Sequence, residues 1–185
     1  MTSSPEFFSK EWADTVRDAL TAGPDERLRA GKLQEYWDFF GLIKSIYPAS
    51  WALGCRDLGA YLSVQWSGGT VTDCRITGPD DPLEASYVLG MDYRDWKALH
   101  DGYDAQRTVM YRKITLEVGD LLEFFKAVYF FVESLAVIGA VPAAHPGPRH
   151  GSRHSRRARK PCKSRISRGP EFNESHSLPI LSGRE

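Results

Sequence analysis

Apolar and polar residues alternate along the N-terminal segment with the period of an α-helix. The apolar positions recur every three to four residues, at Phe8, Trp12, Val16, Ala19 and Leu20. This spacing places them on one face of an amphipathic helix. Serines before Pro5 predict that the helix starts there, and Gly23 predicts its end. A second, shorter helical piece is expected after Pro24, with an interruption near Gly31.

The following segment, residues 38–51, is ambiguous because its pattern fits two periods. Its large apolar residues before the proline are Phe39, Phe40, Ile43 and Ile46. These residues could form one face of a helix or a buried strand. We favour a strand for the middle of the segment.

Residues 60–77 carry the clearest strand signal of the chain. Apolar Leu62, Val64 and Trp66 alternate with Tyr61, Ser63 and Gln65. The Ser-Gly-Gly at 67–69 predicts a tight turn into a second strand. Residues 78–84 are rich in Pro, Gly and Asp and predict a loop, and residues 85–91 predict another strand.

Residues 92–120 predict two capped helices and a strand. Asp92 is expected to cap the first helix and Gly102 to end it in a left-handed conformation. The apolar face of this helix is Tyr93, Trp96 and Leu99. Asp104 is expected to cap the second helix, which turns Ala105 and Val109 inward.

Alternation in residues 114–118 predicts the last strand. Its apolar side is Ile114, Leu116 and Val118. Gly119 is expected to turn the chain, and Asp120 to cap one long apolar helix that Pro142 ends. Helices, several strands, a helix pair, a strand and a final helix follow one another in this order. The uneven grouping predicts an α+β fold with a mostly antiparallel sheet.

Charge divides the chain into two segments, although the formal net charge of the 185 residues is zero. From His145 onward there are ten lysines and arginines against three aspartates and glutamates, a net of +7, and the preceding 144 residues carry −7. The C-terminal segment has almost no apolar periodicity, so it cannot bury enough surface to offset the entropy of ordering. We therefore predict one domain at 1–144 and a disordered basic tail at 145–185.

The basic tail allows two interpretations. The first is a solvated extension without a function, and the second is electrostatic contact with an anionic membrane. Its basic run lacks interleaved aromatic residues, so no specific nucleic-acid partner is predicted.

Little in the sequence points to catalysis or to a metal. Cys55, Cys74 and Cys162 show no CxxC spacing, so neither a disulfide framework nor a zinc site is predicted. The start of the chain lacks the basic and apolar regions of a signal peptide, which favours a cytoplasmic protein. The chain contains no GxSxG, HExxH, Walker or GxGxxG motif. We expect neither enzyme activity nor a cofactor.

One compact ionisable cluster remains, formed by His100, Asp101 and Asp104. Its spacing matches no metal-ligand motif. A histidine at a helix C-terminus and an aspartate at a helix cap both have ordinary structural explanations. We therefore expect structural roles for all three.

Two passages of the chain resemble the sterol carrier protein type 2 family. One is the hairpin GAYLSVQWSGGTVTDCRI, and the other is ASYVLGMDYRDWKALHDGYDAQRTVMYRKITLEVGD, with the closest matches at Trp96, Leu99, Gly102 and 114–120. The resemblance runs from about Trp12 to about Leu135. It implies a sheet of about five strands covered by helices, with a hydrophobic cavity or tunnel for sterols, fatty acids, fatty acyl-CoA or other lipids.

The final helix is apolar on more than the single stripe that packing on a sheet requires. A ligand, a partner chain or simple burial in a small core would each explain the excess. On the lipid interpretation, the residues expected to line the cavity are Trp66, Trp96, Leu99, Val109, Met110, Ile114, Leu116, Leu122, Phe125, Val128 and Tyr129.

The leading functional hypothesis is non-catalytic binding or transfer of an apolar lipid. The alternative is an interaction or regulatory protein that uses the final helix to form a homodimer or to dock on an enzyme. Its interface would cover Phe124, Phe131 and Leu135. An enzyme of steroid or acyl-CoA metabolism ranks last, because the sequence offers no polar constellation for its cavity.

Overall fold

A computed structural model describes residues 4–145, which fold into seven helices and a five-stranded sheet. The helices are α1 (Lys10–Ala22), α2 (Glu26–Arg29), α3 (Gln34–Ile46), α4 (Tyr93–His100), α5 (Ala105–Met110), α6 (Leu121–Lys126) and α7 (Val128–Ala140). The strands are β1 (Ser50–Cys55), β2 (Ala60–Ser67), β3 (Thr70–Thr77), β4 (Tyr87–Met91) and β5 (Ile114–Val118). The basic segment 146–185 lies outside the described residues, as does its predicted contact with a membrane.

The sheet has the strand order β3-β2-β1-β4-β5. Three of its four neighbouring pairs are antiparallel, and β1 and β4 are parallel. The predicted α+β fold with a mostly antiparallel sheet is therefore confirmed. None of the helices within residues 4–145 is both long and apolar enough to cross a membrane.

The central strand β1 was missing from the sequence prediction. Its residues Trp51 to Leu53 are completely buried, and Cys55 is nearly so. A strand that is buried on both faces shows no alternation of apolar and polar residues. The period-two signal therefore could not reveal it.

The first helix starts later than predicted. Ser9, rather than a serine before Pro5, caps α1 by accepting a hydrogen bond from the Trp12 backbone N–H at 3.1 Å. Residues 5–7 instead run beside the end of the described chain, where the Phe7 N–H donates to the Ala144 carbonyl at 3.0 Å. The end of the helix is as predicted, since Gly23 follows it with a φ of 85°.

The ambiguous segment forms the helix α3, so the strand that we favoured there is wrong. Trp37 is buried, and Phe40 and Ile43, three residues apart, are half-buried on the same side. Phe39, Leu42 and Ile46 are exposed. The spacing of three residues between the buried positions is that of a helix. The run of apolar residues, which had favoured a strand, includes residues that are exposed.

Asp92 stands at the N-cap position of α4 but makes no capping hydrogen bond. Its carboxylate instead accepts from Arg56 at 3.2 Å. Asp104 and Asp120 cap α5 and α6 as predicted, through the backbone N–H groups of Arg107 and Leu122.

The strand β5 is irregular, which changes the side on which Val118 lies. The pairing with β4 shifts register between Val88 and Leu89, so that Val88 is opposite Val118 and Leu89 is opposite Leu116. Such a shift turns the residues beyond it to the other face of the sheet. Val118 accordingly packs with the small cluster around Ala52 and Val88, away from Leu116.

The final apolar helix is two helices, α6 and α7, rather than one. Ala127 separates them with φ −114° and ψ 19°. The break brings the rings of Phe124 and Phe131 into an edge-on contact, with centroids 5.0 Å apart.

The interior between α7 and the strands β1 and β2 is an aromatic core. It consists of Tyr47, Trp51, Trp66 and Phe130. The Trp66 and Phe130 ring centroids are 4.9 Å apart, and the Trp51 indole donates to the Tyr47 hydroxyl at 2.9 Å. This half of the sheet face is closed.

Candidate functional site

An open cleft of about 1180 Å³ lies beside the edge strand β5. One wall is formed by Leu89 of β4 together with Ile114 and Leu116 of β5, and α5 extends that wall. The opposite wall is formed by α6, α7 and the chain between α2 and α3. The volume is above the range of roughly 300–1,000 Å³ that is typical of small-molecule pockets. The cleft is therefore large enough for a lipid chain.

The mouth of the cleft exposes several large apolar side chains. Leu33, Met110, Leu121, Phe125 and Tyr129 line the cleft, and each is more than half exposed. Single exposed apolar residues are ordinary on protein surfaces, whereas a contiguous group around a concavity indicates a binding site.

Seven of the eleven residues predicted to line a cavity lie around this cleft. They are Val109, Met110, Ile114, Leu116, Phe125, Val128 and Tyr129. They come from α5, β5, α6 and α7, which are adjacent in sequence and meet at this edge of the sheet. Contact of these residues with a lipid stays a prediction.

Four predicted residues lie elsewhere. Trp66 belongs to the aromatic core, and Trp96 is fully buried, where its indole donates to the Gly54 carbonyl at 3.1 Å. Leu99 packs against Gly139 of α7. Leu122 is 77% exposed and does not line the cleft. Apolar character alone did not distinguish core, cleft and outer surface.

The sequence interpretation missed the polar end of the cleft. Lys32, Tyr36 and Glu133 line it, and Glu133 is a carboxylate within the otherwise apolar α7. The position of Glu133 inside an apolar run was a visible signal. Lys32 and Tyr36 are about 100 residues away in the sequence, and only the folded chain brings them to it.

Glu133 is only 3% exposed and makes an ion pair with Lys32. The Tyr36 hydroxyl donates to the same carboxylate oxygen, Oε1, at 2.7 Å. Burial, and then the hydrogen bond to Glu133, raise the pKa of Tyr36 well above its ordinary value. Tyr36 therefore remains a hydrogen-bond donor throughout the physiological range of pH.

The residues named for a dimer or docking interface are inside the molecule. Phe124, Phe131 and Leu135 are 5%, 1% and 0% exposed. They pack beneath α6 and α7, so they are not available to a partner of the folded chain. This corrects the interface that the sequence suggested.

The ionisable cluster near His100 divides into separate structural contacts. His100 Nδ1 lies 2.8 Å from Nε2 of His145, Asp101 accepts from Lys97 at 2.6 Å, and Asp104 caps α5. Burial, and then the neighbouring His145, lower the pKa of His100 to about 4. Residues 4–145 contain no group of three or more His, Cys, Asp or Glu side chains placed to hold a metal ion.

The chain has the fold of sterol carrier protein 2. A crystal structure of sterol carrier protein 2 superposes with a TM-score of 0.57 at 18% identity, covering 74% of this chain and all of the other. The solution structure of a conserved hypothetical protein from Thermus thermophilus, described as a candidate sterol carrier protein, gives 0.56 at 18% identity, covering 81% and 97%. No protein-family model and no curated protein sequence matches the chain. The predicted resemblance is thus confirmed for the fold.

Proposed function

We propose that the protein binds and carries an apolar lipid in the cleft between β5 and the helices α6 and α7, without catalysing a reaction. The observation that carries this proposal is the cleft of about 1180 Å³, whose walls and mouth are mostly apolar. Water in contact with these walls would be released when an acyl chain or a sterol enters. Each Å² of apolar surface that leaves water contributes about 25 cal/mol.

Two further points support a lipid. The fold is that of sterol carrier protein 2, a protein whose name describes it as a carrier of sterols. The cleft is also open at its mouth, where Met110 and Phe125 are exposed. An open, flexible apolar rim suits a ligand that must enter and leave without a chemical step.

An interaction role remains the second candidate function, but it has less support. The three residues through which the last helices were expected to dock are buried. A partner would have to use exposed apolar residues outside the cleft, such as Leu122. The experiment below separates these two functions, because it compares a residue of the cleft with one outside it.

Leu121 and Leu122 provide a matched pair for the test. Both lie in the first turn of α6 and both are exposed, but only Leu121 lines the cleft. An aspartate is tolerated in the first turn of a helix because it interacts favourably with the helix dipole. Leu121→Asp is expected to weaken binding of a fluorescent acyl-chain probe by about tenfold, which corresponds to about 1.4 kcal/mol.

Leu122→Asp is expected to bind the probe as the wild type does. Native mass spectrometry of the protein purified from cells, followed by extraction, should identify a bound lipid. A homogeneous ligand-free mass, together with no probe binding by the wild type, would rule out the proposed function. Loss of binding to a protein partner in Leu122→Asp, with probe binding intact, would favour the interaction role.

A further inference from the structure

A buried carboxylate inside an apolar lipid cleft needs an explanation. Glu133 is 3% exposed, whereas the neighbouring cleft residues of α7, Val128 and Val132, are apolar. Removing a carboxylate from water costs several kcal/mol unless it is paired and hydrogen-bonded. A helix that only had to form an apolar wall would have no reason to carry this cost.

Two donors of the protein meet at one oxygen of the Glu133 carboxylate. Lys32 Nζ and the Tyr36 hydroxyl both donate to Oε1. An ionised carboxylate can accept about four hydrogen bonds over its two oxygens. The bonds from Lys32 and Tyr36 therefore leave Glu133 with capacity to accept a further one from a ligand.

Lys32 is held by more than the ion pair. Its ammonium lies 5.0 Å from the Tyr36 ring centroid and 5.2 Å from that of Trp37. The two aromatic rings therefore help to hold the Lys32 ammonium next to Oε1 of Glu133. A negative head group that drew Lys32 away from Glu133 would leave this carboxylate buried without its ion pair, which is strongly unfavourable.

We propose that the cleft selects lipids whose polar end is an uncharged hydroxyl over lipids of the same chain length that end in a carboxylate, and that Glu133 is the residue that selects them. A hydroxyl donates to Oε2 and leaves the contacts of Lys32 and Tyr36 in place. A carboxylate meets the charge of Glu133 and cannot donate. This proposal rests on the proposed function and names the ligand class for the same site.

The other charged residues of the cleft do not reverse this preference. Glu35 and Glu117 add negative charge to the lining, and Arg112 adds positive charge. Arg112 is exposed, so its attraction for an anion is screened by water and salt. The charge of the buried Glu133 therefore has the largest effect on a ligand head group at the polar end of the cleft.

The test compares 1-dodecanol with dodecanoate as competitors for an uncharged fluorescent lipid probe at pH 8, below the solubility limit of the alcohol and the micelle concentration of the acid. The wild type is expected to bind the alcohol about tenfold more tightly than the acid, since hydrogen bonds to charged groups contribute about 1.5–3 kcal/mol. In Glu133→Gln the charge is removed, and the preference is expected to fall to about threefold or less. Cholesterol as a third competitor distinguishes a sterol hydroxyl from that of a straight chain.

Glu35→Gln and Arg112→Gln are the matched controls, since each changes one charge of the same cleft. Both are expected to keep the preference of the wild type.

Equal binding of alcohol and acid by the wild type would overturn the selection and leave the lipid-binding function standing, even if Glu133→Gln does not fold. Selective loss of acid binding in Arg112→Gln, with no effect of Glu133→Gln, would place the head group at Arg112 instead. If neither competitor displaces the probe and the probe itself does not bind, the proposed function fails.

Discussion

The inner face of the sheet has a closed half and an open half. Over β1 and β2, α7 packs directly on the strands, and Trp51, Trp66 and Phe130 fill the space with ring contacts of 4.9–5.6 Å. Over β4 and β5, Leu116 is half-buried: it packs against the edge of the core and also lines the cleft. The two halves use the same kinds of residues. Whether an apolar residue becomes core or cleft wall depends on how closely a helix approaches the sheet.

The break at Ala127 coincides with this difference. After it, α7 buries nine of its thirteen residues, whereas before it α6 buries only Phe124. A single straight helix would present one continuous face to the sheet. The break thus separates a helix that is mostly buried from one that is mostly exposed.

The largest effect is expected from two adjacent phenylalanines of α6. Both line the cleft, but Phe124 is 5% exposed and belongs to the core as well, whereas Phe125 is 52% exposed at the mouth. Phe124→Ala is expected to lower the free energy of unfolding by about 3–5 kcal/mol, because it creates a cavity in the core. Phe125→Ala is expected to change it by less than about 1 kcal/mol but to weaken binding of the lipid probe. Urea unfolding and probe titration of both variants measure these effects, and equal losses of stability would remove the distinction between core and cleft.

A smaller effect is expected from acid, acting on the partly buried His100 of α4. The pKa of His100 is lowered to about 4, so between about pH 6.5 and pH 4 the unfolded chain binds a proton that folded His100 does not. The free energy of unfolding should therefore fall as the pH decreases through this range, by up to about 3 kcal/mol, and stay level above it. Urea unfolding from pH 4 to pH 7 should show this slope in the wild type.

In His100→Gln, the free energy of unfolding is expected to depend less on pH between about pH 4 and pH 6.5, because the imidazole that titrates there is gone. His145→Gln is the comparison variant, since burial also lowers the pKa of His145, and its imidazole lies 2.8 Å from that of His100. It should reduce the slope less than His100→Gln does. An unchanged slope in His100→Gln would show that acid destabilises the protein through other groups.

The smallest effect is expected where α4 crosses α7 in the closed half. A Cβ atom on Gly139 would lie 2.7 Å from Leu99 Cγ and 3.2 Å from the Leu99 carbonyl oxygen. Alanine is favoured over glycine in a helix by about 1 kcal/mol, but overpacking costs about 1–3 kcal/mol. Gly139→Ala is therefore expected to destabilise by about 1 kcal/mol. Gly41→Ala in α3 has no atom within 4 Å of its new Cβ and should stabilise instead. A stabilised Gly139→Ala would mean that the two helices are not tightly packed.

The sequence predicted the elements whose two sides differ in environment. The hairpin of β2 and β3, the two short helices α4 and α5, and the caps Asp104 and Asp120 were all visible in local patterns. Elements with uniform surroundings were missed or misassigned. The strand β1 is buried on both faces, and α3 has apolar residues on both its inner and outer sides.

The candidate site was predictable in part for the same reason. The predicted residues of β5 and α5 lie beside the cleft, and they are close in sequence to one another and to α6. Trp66, Trp96 and Leu99 have the same apolar character as true cleft residues, so composition could not exclude them. Glu133 was visible in the sequence as a charge in an apolar run, but its partners were not.

By itself, the sequence determined the fold class and the order of most elements. It also showed that the C-terminal helical segment carries more apolar surface than packing one face on a sheet requires. These properties follow from local periodicity and from capping, which act over a few residues. Only the tertiary structure decided that β1 lies at the centre, that the final helix breaks at Ala127, and that Lys32 and Tyr36 meet Glu133. Each of these depends on contacts between residues that are distant in the chain, or on how far a helix stands from the sheet. No local pattern encodes such distances.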